Sequence, residues 1–144
     1  MTRVEVMHGI NLDQLGNRPV GHYGSFSLPE LEERIAGWAE ERGLEARFFR
    51  TNFEGAWVEH LHTIRSEAGG LILNPGAWTH YAWGIRDALE IAGLPAVEVH
   101  LSDVMAREEW RRVSVIRDLC VGTVSGQGPE GYRAALDLLR EHLP

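Results

Sequence analysis

Short apolar runs with strand character alternate five times along this chain with longer stretches of helical periodicity, and that alternation most constrains its fold. The strand readings are Arg3–Met7, Leu44–Arg50, Gly70–Leu73, Ala96–Val99 and Leu119–Val124. Gly70–Leu73 is apolar throughout, the pattern of a parallel strand covered on both faces. The helix readings run from Leu28 to a stop at Gly43, then Ala56–Ala68, Trp78–Ala92 and Tyr132–His142, with a helical turn at Arg107–Arg112. Ser27 is placed to cap the first helix and Pro29 sits in its first turn, while Leu31, Ile35, Trp38 and Ala39 form its buried stripe. The expected architecture is α/β: a flavodoxin-like three-layer sandwich around a five-stranded parallel sheet of order 2-1-3-4-5, one domain over residues 1–144.

In such a sheet, ligands bind beyond the carboxyl ends of the strands, at the crevice between the first and third. Three polar clusters, distant in sequence, are then expected on one rim: His8–Asn11, Asn74–Gly76 and His100–Ser102. The long segment after the first strand, broken by glycine and proline, is read as a lid at about residues 16–25, since long loops in small domains are usually functional or mobile. It brings Arg18 and Tyr23 to the rim, and His80 follows the third-strand loop.

Composition narrows the chemistry. The chain has no lysine, so all 14 basic residues are arginine. Schiff-base catalysis by a side-chain amine and a Walker phosphate loop are both excluded. A formal charge of −7 argues against a nucleic-acid partner. No membrane-length apolar run or signal pattern is present, and the single cysteine, Cys120, allows no intrachain disulfide, so a cytoplasmic protein is expected. The histidines lack a helical His-x-x-x-His pair, so no metal site is expected. The first loop lacks a GxGxxG series, so neither a nucleotide nor a flavin is supported, and no cofactor is expected.

Acid/base chemistry remains. Glu98 and His100, two residues apart on a strand, share a face, so the carboxylate can orient the imidazole. Arg18 and Tyr23 lie five apart on the lid. A free tyrosine titrates near ~10, and an adjacent guanidinium favours the phenolate. A base and an acid on opposite walls suit β-elimination of water from a hydroxy-ketone. Each residue also has a plainer reading: His100 as a strand-end structural histidine, Arg18 as a solvated charge, Tyr23 as a loop anchor.

Ordered motifs then match a known family. Asn11-Leu-x-x-Leu-Gly-x-Arg18 with Tyr23-Gly24, Asn74-Pro-Gly-Ala-x-Thr-His80, Ile85-Arg-Asp-Ala-Leu89, Glu98-Val-His-Leu-Ser102, Ala106-Arg-Glu-Glu-x-x-Arg112 and Gly126-x-Gly-Pro-x-Gly-Tyr132 resemble the type II 3-dehydroquinate dehydratases end to end. The resemblance implies an anti elimination of water from 3-dehydroquinate through an enolate, giving 3-dehydroshikimate, with neither metal nor Schiff base. It implies Tyr23 as the base, Arg18 as its activator, His100 as the acid oriented by Glu98, and Asn11 as a holder of the enolate-stabilising water. Asn74, His80, Leu101, Ser102 and Arg111 are implied to bind substrate. Asp87 is implied to reach a neighbouring subunit's site, in trimers assembled into a dodecamer.

The chain departs from the family pattern at His8 and Ile10, at Pro19 directly after Arg18, at Tyr81 and Trp83, and at Asp103 and Val113. These leave open a divergent paralogue acting on a related cyclic hydroxy-acid. A non-catalytic flavodoxin-like binding protein is the alternative from a different class.

Overall fold

Five parallel strands form the middle layer in the order β2-β1-β3-β4-β5, as the alternation requires. They are β1 (Thr2–His8), β2 (Leu44–Arg50), β3 (Gly70–Asn74), β4 (Ala96–His100) and β5 (Gly122–Ser125), in a computed structural model that describes residues 1–144. The helices are α1 (Val20–Tyr23, one turn), α2 (Leu28–Glu41), α3 (Glu54–Ile64), α4 (Trp83–Ala92) and α5 (Glu130–Arg140).

Strand alternation sorts the core into two layers. Val4, Val6, Ile72, Val97 and Val99 face α2 and α5, against Leu31, Ile35, Tyr132 and Leu136. Met7, Leu71, Leu73 and Ala96 face α3 and α4, against Trp57, Leu61, Ile64 and Ile85. Ser27 caps α2 by accepting the Glu30 N–H, and a proline lies in the first turn. No helix is long and apolar enough to cross a membrane.

Several element boundaries differ from the sequence reading. Trp78–Ala92 is not one helix but a 3-10 segment, Gly76–His80, followed by α4 from Trp83. The break has a cause: the Thr79 carbonyl accepts the Val115 N–H at 2.8 Å, diverting it from the helical ladder. The fifth strand starts at Gly122 rather than Leu119, because Arg117–Leu119 forms a 3-10 turn. The turn expected at Arg107–Arg112 is two short 3-10 segments, Val104–Ala106 and Glu109–Arg112. β1 runs on through His8, so His8 is not a loop residue.

Register sets the level of the rim. His8 pairs with Asn74 and Leu73 with Glu98, so His100 projects beyond the ends of β1 and β3. The loops after these strands therefore close one crevice.

Candidate active site

The crevice is a cavity of about 120 Å³ whose wall includes Asn11, Arg18, Tyr23, Asn74, His80, His100, Leu101, Ser102 and Arg111. Nine of the eleven residues proposed from sequence thus line one space. Glu98 stands directly behind His100 and is fully buried. Asp87 is on the exposed face of α4 and not in the wall.

Each wall follows from local sequence. Asn11 adopts a left-handed conformation, φ 69°, the only non-glycine residue to do so. Asparagine tolerates this geometry, and the Asn52 side chain holds it by accepting the Asn11 N–H at 2.8 Å. Asn74 ends β3 with its side-chain oxygen accepting the Gly76 N–H at 3.1 Å, an Asx turn that swings the next residues over the crevice. Its amide donates to the buried Tyr132 hydroxyl at 3.5 Å. Burial pushes the Tyr132 phenol up to about 12, against the opposing Asn74 hydrogen bond and with Glu32 adding to it. Tyr132 therefore stays protonated as a fixed partner for Asn74.

The wall that carries His100 lies on the α3/α4 side of the sheet. His100 Nε2 donates to Glu98 Oε2 at 2.6 Å, leaving Nδ1 as the ring nitrogen free to meet the cavity. Burial alone would push the Glu98 carboxyl up. The hydrogen bond and charge of His100, the Ser114 hydroxyl and Arg117 outweigh it and hold Glu98 below the usual carboxylate range. His80 stacks on His100 with ring centroids 6.2 Å apart, and its Nδ1 is fixed by the Val113 carbonyl at 2.6 Å. Burial lowers the His80 pKa; the Val113 carbonyl and the Glu98 charge oppose this, and the neighbouring His100 and Arg111 reinforce it. His80 is thus a neutral imidazole at ordinary pH, able to donate from one nitrogen and accept at the other.

The opposite wall is the lid. Arg18 Nη2 donates to the Tyr23 hydroxyl at 2.9 Å, with its guanidinium over the ring at 4.1 Å. A second guanidinium, absent from the sequence-derived set, reaches the same oxygen: Arg107 Nη1 donates to Tyr23 Oη at 2.6 Å and to Ser102 Oγ at 3.1 Å. Both acceptor positions of the hydroxyl are thereby filled by cationic donors, the arrangement that stabilises negative charge on oxygen. Arg107, with Tyr23, Leu101 and Ser102, lines both the crevice and a second cavity of about 370 Å³. One signal for it was available: Arg107 lies five residues past Ser102 on the same rim.

Most departures from the family pattern face away from this space. His8 is buried on the α2 side, with Nε2 3.0 Å from Glu32 and its ring stacked on Phe48. Asp103 caps its own 3-10 segment by accepting the Met105 N–H at 3.1 Å, so it does not partner His100. Val113 contributes its carbonyl, and its side chain is exposed. Tyr81 and Trp83 are exposed on the outer surface. Among the departures discussed, only Ile10 enters the cavity wall.

Comparison with known proteins gives the family. The family model for dehydroquinase class II matches residues 2–140. The chain belongs to the class II dehydroquinase family. A 3-dehydroquinate dehydratase of Thermotoga neapolitana is 46% identical over 136 residues, covering 94% of this chain and 92% of that protein. The corresponding protein of Thermotoga maritima is 45% identical over 141 residues, covering 98% and 96%. Among solved structures, the type II dehydroquinase of Butyrivibrio crossotus superposes with a TM-score of 0.93 at 35% identity, covering 96% of this chain and 97% of the other.

Proposed function

We propose that this chain is a 3-dehydroquinate dehydratase that eliminates water across its crevice, with Tyr23 as base and His100 as acid, to give 3-dehydroshikimate. The observation that carries the reading is the pairing of opposite walls. On one, a phenol oxygen is held by two guanidinium groups; on the other, a histidine is held by a buried carboxylate. The family and its relatives supply the reaction class.

Tyr23, with Arg18 and Arg107 stabilising its oxygen as an anion, takes the proton α to the substrate ketone. The resulting enolate needs donors, and Asn11 lies at the rim to hold a water against it. His100 then protonates the departing hydroxyl, with Glu98 stabilising the imidazolium that precedes transfer. Asn74, His80, Arg111, Ser102 and the Leu101–Ser102 backbone grip the ring hydroxyls and carboxylate. No cofactor takes part in this reading.

The assembly reading extends from the surface. Asp87 points outward from α4, close in sequence to the exposed Tyr81 and Trp83, so a neighbouring copy is the partner that would receive it. Trimers assembled into a dodecamer are the state proposed, with a cytoplasmic site of action. Native mass measurement tests the assembly, and a monomer would leave Asp87 without its role.

Purified protein is expected to convert 3-dehydroquinate with the rise in ultraviolet absorbance of a conjugated enone, without added metal. The expected kcat/KM lies in the ordinary enzyme range, ~10⁴ M⁻¹s⁻¹ or more. No absorbance change at high enzyme concentration would sink the reading.

A further inference from the structure

His100 is held by Glu98, and Glu98 is held in turn by a loop well beyond the strand that carries it. Ser114 Oγ donates to Glu98 Oε1 at 2.7 Å. Ser114 Oγ in turn accepts the N–H groups of Ile116, at 3.3 Å, and Arg117, at 3.1 Å. A serine hydroxyl has one proton to give and two lone pairs to fill. The two backbone donors occupy both lone pairs, so the proton is directed at Glu98. A hydroxyl at an exposed site can rotate between partners; this one has a single orientation open to it.

The remaining carboxylate oxygen is also committed. Glu98 Oε2 receives His100 Nε2 at 2.6 Å and lies 3.5 Å from Arg117 Nη2, whose Nη1 donates to the Arg112 carbonyl. Glu98 has no exposed surface, so neither oxygen can turn to water for a replacement donor. An ionised carboxylate accepts only. The ring nitrogen facing it must therefore be Nε2–H, and the acid proton of the imidazolium is the one on Nδ1, toward the cavity. A neutral or rotated Glu98 would impose neither the tautomer nor the ring angle.

We propose that Ser114 is a positioning residue for the dehydration: its hydroxyl locks Glu98 in the orientation that fixes the Nε2–H tautomer of His100. The proposal rests on the reading of His100 as the acid. Arg117 adds charge on the same side but at longer range, so Ser114 is the primary clamp.

The competing possibility is that Ser114 only caps the 3-10 turn that follows it, and kinetics together with ¹⁵N spectroscopy of His100 separate the two. Ser114→Ala is expected to lower kcat by about 5-fold to 100-fold, the range for orphaning one buried acceptor, with little change in KM. Ser114→Thr keeps the hydroxyl and is expected to restore most of that loss. In a Glu98→Gln background, Ser114→Ala should add little further, because the group it acts through has already been replaced. With the His100 ring neutral, at alkaline pH, the ¹⁵N spectrum should show Nε2–H alone in the parent and a mixture of tautomers in Ser114→Ala. Ser114→Cys keeps the volume with a weak donor and carries the same expectation if the alanine variant does not fold. An unchanged kcat in the alanine or cysteine variant, an equal loss in the Glu98→Gln background, or an unchanged tautomer overturns the proposal. Activity retained by His100→Asn would instead overturn the acid reading beneath it.

Discussion

Arg107 donates to the Tyr23 hydroxyl at 2.6 Å across 84 residues of sequence. The contact ties the loop after β4 to the lid after β1, and Arg107 is nearly buried in making it. One nitrogen, Nη1, serves both Tyr23 and Ser102, so a single side chain aligns the two hydroxyls. Its Nε lies 4.0 Å from Glu108 Oε1, an ion pair with the neighbouring residue.

Arg107→Leu is expected to lower kcat by about 10²- to 10³-fold, comparable to removing one preorganised electrostatic donor from an active site. Arg107→Lys should recover only part of this, because the lysine ammonium stops short of the position of Nη1, the nitrogen that reaches both Tyr23 and Ser102. Steady-state kinetics on both variants test the point. A kcat within about 3-fold of the parent in Arg107→Leu would remove Arg107 from the base wall.

Tyr23→Phe removes the oxygen on which both guanidinium groups converge and little else. Proton abstraction should fall by at least about 10²-fold, while substrate affinity, measured by calorimetry, stays within about 3-fold. Near-parental turnover would assign the base role elsewhere. The two cations should also lose their common anchor, so lid protection in hydrogen exchange is expected to decrease.

The sheet order and the convergence of three loops were readable because parallel α/β topology leaves few options once five strands alternate with helices. Arg107 was not, although its motif was: no local pattern ties position 107 to position 23, and only the folded rim brings them together. His8 was misplaced for a reason that the sequence contained. Val4, Val6 and His8 alternate on one strand face, the face that packs on α2, so β1 continues through the histidine. The break after His80 was invisible because its cause, the Val115 N–H on the Thr79 carbonyl, comes from 36 residues further along the chain.

His80 is expected to make stability depend on pH near neutrality. Its folded pKa is lowered, chiefly by burial, from an unfolded value near 6.5. Between those two values the unfolded chain binds the extra proton. The contribution is therefore complete above about 6.5 and is lost as pH falls through the lower folded value. Glu98, whose pKa is also lowered, loses its contribution only in the more acidic carboxylate range. Urea unfolding at about pH 7.5 and about pH 5 should show a smaller difference for His80→Asn than for the parent. Equal differences would mean that His80 is not the group responsible.

Gly9 is where the two loops that floor the crevice meet, and it decides how closely they approach. Its N–H donates to the Asn74 carbonyl at 2.7 Å, and a Cβ added there would overlap the backbone of Pro75. The reciprocal contact is similar: Gly76 has φ +66°, and its Cβ would lie 2.5 Å from the Ile10 carbonyl. Backbone, unlike a flexible side chain, cannot swing aside, so Gly9→Ala must push the first loop away from the third-strand loop. That displacement moves Asn11 and Asn74 apart while leaving the core of the sheet intact. Gly9→Ala is accordingly expected to cost about 1–3 kcal/mol in denaturant unfolding and to raise KM as the substrate-binding residues separate. Gly37→Ala supplies the contrast, since a Cβ there meets nothing within 4 Å on the middle of α2. It should stabilise the fold by roughly 0.4–1 kcal/mol with unchanged kinetics. If Gly9→Ala matched Gly37→Ala in stability and KM, the close approach of the two loops would have no part in building the site.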